Sequence, residues 1–323
     1  MKLISFNKVY LIMFFFVAAT TFGQIIKCNF CKKQIDGKYI TVDGNAYHKN
    51  HFICANCNKP IDGEYSSKNR MYYDKRCYTN LFSLKCSICA EPINGKYLID
   101  DFGMKYHRYH EAELKRCDNC NMLISEKTTR GGVKYSDGRN ICNLCKKTSM
   151  NSVGDYERSL KKVVGRLKNY GLRFNESTIE LKIVDLNELQ KISQNGLSKN
   201  IRGFTYTNIR TSGDTKTYSH IIYILNGIPR TYAEATIAHE IMHVWINLNI
   251  EHKLSSQLEE GSCNYISYTY LKSDYSKEAE NIIELLQNNP DKIYGEGYRK
   301  VYNRFRGRDF NLFLNYLKKN RTI

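Results

Sequence analysis

A His-Glu-x-x-His motif, made of His239, Glu240 and His243, could bind a metal and perform hydrolysis. Histidines four residues apart lie on one face of a helix, so both rings can reach one Zn²⁺ at about 2.0–2.1 Å. Glu240 can lie beside the metal without binding it and take a proton from the attacking water. This spacing predicts a catalytic zinc site. The competing interpretation is a core helix with two satisfied histidines.

The sequence around the motif predicts the elements that would hold it. A helix is predicted over residues 231–249, because apolar side chains recur there at helical spacing. These side chains are Ala233, Ile237, Ile241, Val244 and Leu248. Residues 218–225 are predicted to form a strand, and residues 226–229 a turn. A strand that leads into the motif helix favours the catalytic interpretation.

A catalytic zinc also needs a third protein ligand and one open position for water. The segment Glu259-Glu260-Gly261 begins a second predicted helix, which runs to about residue 271. It resembles the third-ligand segment of gluzincin peptidases, in which the glutamate directly before glycine binds zinc. The resemblance assigns Glu260 as the third ligand and leaves Glu259 as the alternative.

Twelve cysteines indicate further metal sites in the first half of the chain. Repeated Cys-x-x-Cys pairs with histidines between them are typical of closed structural zinc sites. The four predicted ligand sets are Cys28, Cys31, His48 and His51; Cys54, Cys57, Asp74 and Cys77; Cys86, Cys89, His107 and His110; and Cys117, Cys120, Cys142 and Cys145. A disulfide framework is the alternative, but it would not require histidines at these positions. The remaining Cys263 is predicted to be a small core residue.

The order of these ligands is similar to that of two LIM domains in tandem. Tyr47-His48 and the run from Cys54 to Ile61 also resemble LIM sequences. This chain departs from the usual pattern at His51 and His110, where many LIM domains carry Cys, and at Asp74, where Cys or His is usual. In addition, six residues instead of two separate His110 from Cys117. The resemblance implies up to four structural zinc ions and binding of a protein partner.

Residues 1–23 are predicted to form a signal peptide. Lys2 and Lys8 are followed by an apolar run over residues 9–19 and a small-residue cleavage site before Gln24. The run is short for a membrane span, so a retained anchor is the lesser alternative. We therefore expect an exported, periplasmic or secreted protein without a stable membrane anchor.

The formal net charge of +17 raises the question of an anionic partner. Lys and Arg are spread along the whole chain without a run of five, which favours a solvated basic surface. No nucleic-acid partner is therefore predicted.

These features predict an α+β chain with a defined domain order. Its predicted parts are the signal peptide (1–23), a first LIM unit (24–84), a second LIM unit (85–148), a polar linker (149–155) and a zinc peptidase domain (156–323). The LIM units should contain β-hairpins, with Asp36-Gly37, Asn94-Gly95 and Asp137-Gly138 as turn signals.

Taken together, the motifs resemble the plant LIM-domain peptidases of the DA-one type. The matching segments are residues 227–230, 238–245, 259–263 and 294–299. The resemblance implies a zinc endopeptidase that cleaves protein substrates, but substrate identity and regulation by ubiquitin are not carried over. A non-enzymatic LIM adaptor with a degenerate peptidase scaffold is the alternative.

Two further site predictions complete this interpretation. The strand over residues 218–225 is expected to pair with an extended substrate. Tyr298 is the predicted oxyanion helper, with Arg299 and His220 as alternatives. A purely structural role is the competing interpretation for each of these three side chains.

Overall fold

The computed structural model describes residues 3–4, 25–193 and 201–323. Its strands are β1 (Leu3–Ile4), β2 (Tyr39–Val42), β3 (Asn45–His48), β4 (Tyr65–Lys68), β5 (Met71–Asp74), β6 (Tyr97–Ile99), β7 (Lys105–Tyr106), β8 (Gly132–Lys134), β9 (Asn140–Cys142), β10 (Ile179–Val184), β11 (Gly203–Ser212) and β12 (Thr215–Leu225). Its α-helices are α1 (Lys75–Phe82), α2 (His110–Glu113), α3 (Glu126–Thr129), α4 (Asn143–Thr148), α5 (Val153–Lys168), α6 (Leu186–Ile192), α7 (Arg230–Asn249), α8 (Ser256–Leu271), α9 (Lys277–Asn288), α10 (Tyr294–Phe305) and α11 (Phe310–Lys319). Short 3-10 helices span Lys49–His51 and Glu176–Thr178.

The chain divides into two compact units, Met1–Ala112 and Glu113–Ile323. In the first unit, β2 pairs with β3, β4 with β5, and β6 with both β1 and β7, all antiparallel. A small core forms around Phe52, which is 1% exposed. Such small cores bury little surface, so metal ligation is expected to supply much of the stability of this unit.

The second unit begins with the hairpin β8–β9 and the short helices α3 and α4. This division differs from the domain boundaries drawn from the sequence, which assigned residues up to 148 to a LIM unit and 149–155 to a linker. Met150 is 2% exposed and belongs to the main core of the second unit. Helix α5 already begins at Val153, capped by the side chain of Ser152. The segment predicted as a linker thus contains one core residue and the start of a helix.

A three-stranded sheet of order β10-β12-β11 supports the motif helix. Strand β12 runs parallel to β10 and antiparallel to β11. Its side chains at Ile222 and Ile224 are fully buried in the core that also contains Ile237 and Ile241 of α7. Because α7 is packed between the sheet and helices, its position is fixed from several sides.

Helices α8 and α10 approach so closely that both contact positions are glycine. A Cβ on Gly261 would collide with the backbone of Gly297, and a Cβ on Gly297 would collide with the Gln257 carbonyl. This close packing holds α8 in place directly beside Glu260. It also explains why a glycine follows Glu260 in the sequence.

Several predicted elements are confirmed, including the helix over 231–249, a strand close to 218–225 and the second helix, which ends at Leu271. Helices α6 and α10 of the second unit were not predicted. Of the predicted turns, Asp137-Gly138 lies between β8 and β9, whereas Asp36-Gly37 and Asn94-Gly95 precede their hairpins. The predicted signal peptide lies outside the described residues except for Leu3 and Ile4. Among the described residues, no helix combines the length and apolar character needed to cross a membrane.

The prediction that residues 218–225 pair with a substrate is wrong for most of that strand. From His220 to Leu225, β12 pairs with β10 on one side and β11 on the other. Its backbone hydrogen-bonding groups are therefore already used. Among the described strands, β10 and β11 form the two edges of this sheet.

Replacing helical glycines by alanine should have opposite effects at two places. Gly297→Ala should destabilise the protein by about 1–3 kcal/mol, because the new methyl group overpacks the α8–α10 contact. Gly165→Ala, in α5, should stabilise it by about 0.5–1 kcal/mol, because no atom lies within 4 Å of the new Cβ. Thermal unfolding midpoints measure both. A shift of the same sign in the two variants would contradict this account of the helix contact.

Candidate metal centre

All four predicted structural ligand sets come together in the structure. In each set, one ligand atom from every residue lies within 4.8 Å of the others. In the first unit, each set combines a Cys-x-x-Cys pair that precedes a hairpin with two ligands at or just after the end of that hairpin. The hairpins are β2–β3, β4–β5 and β6–β7. The set of Cys117, Cys120, Cys142 and Cys145 is buried and lies in the second unit. Clusters of this composition are typical of structural zinc sites.

Backbone carbonyls orient two of the histidines in the same way. Nε2 of His48 lies 3.2 Å from the Gln34 carbonyl oxygen, and Nε2 of His107 lies 3.2 Å from that of Pro92. Their Nδ1 atoms each face a cysteine sulfur at 3.4 Å, that of Cys31 or Cys89. A proton held on Nε2 leaves Nδ1 free to bind a metal.

Sulfur spacing in the four-cysteine cluster favours zinc over a disulfide. The Sγ atoms of Cys120 and Cys142 are 3.9 Å apart. A disulfide bond is about 2.05 Å long. Zinc–sulfur bonds of about 2.3 Å in a tetrahedron place the sulfurs roughly 3.8 Å apart. The cluster therefore has the dimensions of a tetrathiolate zinc site.

The motif helix and α8 bring a second type of cluster together. Oε2 of Glu260 lies 3.2 Å from Nε2 of His239 and 3.7 Å from Nε2 of His243. Tetrahedral zinc with bonds of about 2.0–2.1 Å places its ligand atoms roughly 3.3 Å apart. The Glu260 carboxylate oxygen thus faces Nε2 of both histidines, as a shared metal ligand would.

The two rival carboxylates occupy different positions around His243. Oε1 of Glu259 lies 3.3 Å from Nδ1 of His243, on the opposite side of the ring from Nε2. Glu259 is therefore suited to orient the ring and Glu260 to bind the metal. The choice of Glu260 over Glu259 stays a prediction that this geometry favours.

A different third donor, Cys263, also lies near both histidines. Its sulfur is within 4.8 Å of one nitrogen of each ring. Burial raises the pKa of the Cys263 thiol to about 12, which favours the neutral form. For Glu260, burial acts to raise the pKa, but hydrogen bonds and charge from His239 and His243 hold it well below its usual range. Because zinc deprotonates a thiol that binds it, geometry is the better criterion, and we favour Glu260, whose Oε2 faces Nε2 of both rings.

Acidic neighbours also affect His243. Burial disfavours its charged form, but Cys263, Glu259 and Glu260 raise its pKa well above the usual range. Protons and metal therefore compete for this ring, so metal binding should release a proton.

Asn264 connects the cluster to α10. Its Oδ1 lies 3.0 Å from Nδ1 of His239, and its Nδ2 donates to the carbonyl oxygen of Tyr294 at 3.0 Å. An amide oxygen at Nδ1 favours a proton on that atom, so Nε2 of His239 is left to bind the metal. Sequence reasoning missed Asn264. Its position four residues after Glu260, on the same helix face, was the available signal.

The carboxylate of Glu240 lies on the sheet side of α7. The Thr205 hydroxyl donates to its Oε2 at 2.8 Å. A Cβ on Gly203 would lie 2.7 Å from its Oε1, so β11 approaches this side chain closely. With only 4% of Glu240 exposed, these two contacts of β11 fix its orientation. Neither residue was predicted from the sequence.

The predicted oxyanion helpers have partners outside the ligand cluster, and the role of Tyr298 stays a prediction that its burial disfavours. Tyr298 is fully buried, and its hydroxyl accepts a hydrogen bond from Nε2 of Gln287 at 3.0 Å. Arg299 donates to the carbonyl oxygens of Gln287 and Asn289, at the end of α9. His220 is buried, with Nδ1 3.0 Å from the Thr207 hydroxyl. These contacts favour the structural interpretation for all three side chains.

Comparisons with known families agree with this division of the chain. The DA1-like family model, described as Protein DA1, matches residues 179–287. This range includes the sheet and both helices of the candidate metal centre. The LIM domain model matches residues 28–82, which contain the first two clusters. The chain thus has LIM-type zinc clusters followed by a DA1-like region.

Plant proteins of the same kind are similar to the chain over most of its length. The LIM domain-containing protein HDR3 of Oryza sativa is 26% identical over 286 residues, which cover 76% of this chain and 56% of the relative. Protein DA1 of Arabidopsis thaliana is 24% identical over 321 residues, covering 88% and 60%. DA1-related 1 of the same plant is 27% identical over 290 residues, covering 76% and 51%. The chain therefore spans only about half to three fifths of these relatives.

Zinc content should separate the possible ligands. We expect five zinc ions per chain in the purified protein, because four sets of four ligands and the cluster around His239 and His243 are present. The variants His243→Ala and Glu260→Ala should hold four. Cys263→Ala and Glu259→Ala should retain five. Loss of a zinc from Cys263→Ala but not from Glu260→Ala would make the thiolate the third ligand.

Proposed function

We propose that this homologue of the DA1-type LIM proteins is a zinc-dependent endopeptidase that cleaves protein substrates. The main support is the shared position of the Glu260 carboxylate, which faces Nε2 of both His239 and His243. A closed structural site would carry a fourth protein ligand, whereas a catalytic site keeps a position open for water. The buried Glu240 beside this cluster adds a group that can accept protons.

Each residue has a defined part in the proposed reaction. His239, His243 and Glu260 would hold the zinc, which when bound supplies an activated water and polarises the scissile carbonyl. Glu240 would take the proton from the attacking water and later deliver it to the leaving amine. Thr205 holds the carboxylate of Glu240 through its hydroxyl at 2.8 Å, which keeps this base in one orientation.

An extended substrate would bind along β11. This strand is at the sheet edge among the described strands, and its Gly203 and Thr205 touch Glu240. An edge strand offers free backbone groups to an extended peptide. Exposed side chains of Tyr206 and Ile209 on the same strand are available for contacts with substrate side chains.

Tyr294 is the better candidate for stabilising the oxyanion. Burial raises the pKa of its hydroxyl to about 12, and the charges of Glu260 and Glu240 add to this effect. The hydroxyl thus keeps its proton and can donate it to a developing negative charge. Its backbone carbonyl accepts from Asn264, which ties the start of α10 to the ligand cluster.

The LIM clusters are proposed to bind the substrate or a partner protein. LIM domains generally mediate protein–protein interactions, and three of the four clusters lie in the first unit, apart from the candidate metal centre. Export with removal of residues 1–23 stays a prediction, which N-terminal sequencing of the purified chain would check.

The substitution Glu240→Gln should lower kcat by about 10²–10⁴-fold, because the amide cannot accept the proton. Zinc content should stay at the wild-type value, since Glu240 is not a ligand. Cleavage of a mixed library of extended peptides, followed by mass spectrometry, measures turnover. The exposed Glu284→Gln serves as the matched control. Wild-type turnover in Glu240→Gln would remove Glu240 as the base, and an inactive wild type would favour the LIM adaptor.

The substitution Tyr294→Phe should lower kcat by about 10²–10³-fold with little change in KM, as expected for a donor that acts in the transition state. Tyr275→Phe is the matched control, because Tyr275 is 91% exposed. Steady-state kinetics on one cleaved library peptide give both constants. An unchanged kcat in Tyr294→Phe would exclude this role for the hydroxyl.

A further inference from the structure

The finger formed by Cys117, Cys120, Cys142 and Cys145, here called the fourth finger (residues 113–150), holds the turn that leads into α7. Asn119 donates from Nδ2 to the Gly227 carbonyl oxygen at 3.4 Å, and the Ser149 hydroxyl donates to the same oxygen at 3.0 Å. Nη2 of Arg139 donates to the Asn226 carbonyl oxygen at 2.8 Å. Three side chains of the finger thus fix two consecutive carbonyl groups.

Backbone hydrogen bonds of Met150, at the end of the finger, also hold this turn. The amide of Met150 donates to the Ile228 carbonyl oxygen at 3.0 Å, and the amide of Gly227 donates to the Met150 carbonyl oxygen at 3.2 Å. Gly227 has a φ of +69°, and a Cβ there would lie 2.7 Å from Cε2 of Tyr135. The turn is therefore enclosed by the finger immediately before α7 begins at Arg230.

A second connection runs through Arg202 to the other side of the site. Nη2 of Arg202 donates to the Asn119 carbonyl oxygen at 2.6 Å, and its guanidinium lies 4.8 Å from the ring centre of Tyr232 on α7. The next residue, Gly203, begins β11 and packs against Glu240. Arg202 thus joins the finger, the motif helix and the strand that holds the predicted base.

Asn119 lies between two of the finger's cysteines, Cys117 and Cys120. A bound metal would fix both of these neighbours and with them the backbone and side chain of Asn119. Its 2% exposure indicates a defined position in the interior. The direction of its carbonyl and amide groups is therefore controlled by the finger itself.

We propose that the fourth finger is a positioning element of the His239–His243 site, and that Arg202 is a positioning residue for Glu240. This inference rests on the proposed peptidase function for its catalytic readout only. The finger fixes the start of α7 through the Asn226–Ile228 turn, and it fixes the start of β11 through Arg202. Zinc binding in the finger thereby governs the geometry of a second metal site.

The variant Arg202→Met tests the proposal in the full-length protein. It removes the hydrogen bond to Asn119 and keeps an apolar chain against Tyr232. Amide hydrogen exchange should become faster in residues 203–212 and 230–249 and stay unchanged in α11. kcat for a cleaved library peptide should fall about 10- to 100-fold, with KM within about twofold, because the base is misplaced. Arg173→Met, at an exposed arginine of the same unit, should leave all these readouts unchanged.

The outcomes separate the proposal from a general loss of stability. Unchanged exchange in the two segments, or faster exchange with wild-type kcat, would overturn it. If amide hydrogens exchange faster throughout the chain of Arg202→Met, the variant Asn119→Ala distinguishes the two explanations. It removes only the hydrogen bond from the Asn119 side chain to the Gly227 carbonyl oxygen. Wild-type exchange in residues 230–249 of Asn119→Ala would then overturn the proposal.

Failure of the proposed function would be visible separately. If the wild type cleaves no peptide, the peptidase function fails, but exchange and zinc content still report on the finger. Faster exchange in residues 230–249 together with weaker retention of one zinc ion under a chelator such as EDTA would support positioning of the metal site. Exchange and zinc retention equal to those of the wild type would overturn it.

Discussion

The candidate metal centre depends on holding an ionised carboxylate between two imidazole rings in a largely buried cluster. A buried charge is costly unless it is paired, and Glu260 is paired with both His239 and His243. This pairing requires a fixed position of α8 along the axis of α7. The tight contact of Gly261 with Gly297 contributes by fixing α8 against α10, where two backbones without side chains meet.

Helix α7 presents its two histidines and Glu240 to different neighbouring elements. Its histidines face α8 and the carboxylate of Glu260, whereas Glu240 faces β11. Asn264 supports the first side and Thr205 the second, each through one hydrogen bond of 3.0 Å or less. Metal ligands and predicted base are thus oriented by independent partners. In the proposed peptidase, this separation would let one set of partners orient the metal ligands and another orient the base.

The zinc clusters differ in what they are connected to. Three of them stabilise small hairpins of the first unit, where little apolar surface is available for a core. The fourth shares the second unit with the sheet and α7. In each of its contacts with Asn226, Gly227 and Arg202, a side-chain N–H group donates to a backbone carbonyl oxygen. Such contacts fix chain direction and do not depend on which side chains the turn carries.

The sequence by itself determined the local features, because they depend on spacing along one element. The i, i+4 histidines, the apolar stripe of α7 and the cysteine knuckles were all visible without a fold. Tertiary structure decided which residues meet across elements. It places β11, and not β12, at the edge of the sheet, and it packs Tyr298 against Gln287. It also brings Thr205, Asn264 and Arg202 to the site. Those contacts join residues far apart in the chain, and no period or motif encodes such pairings.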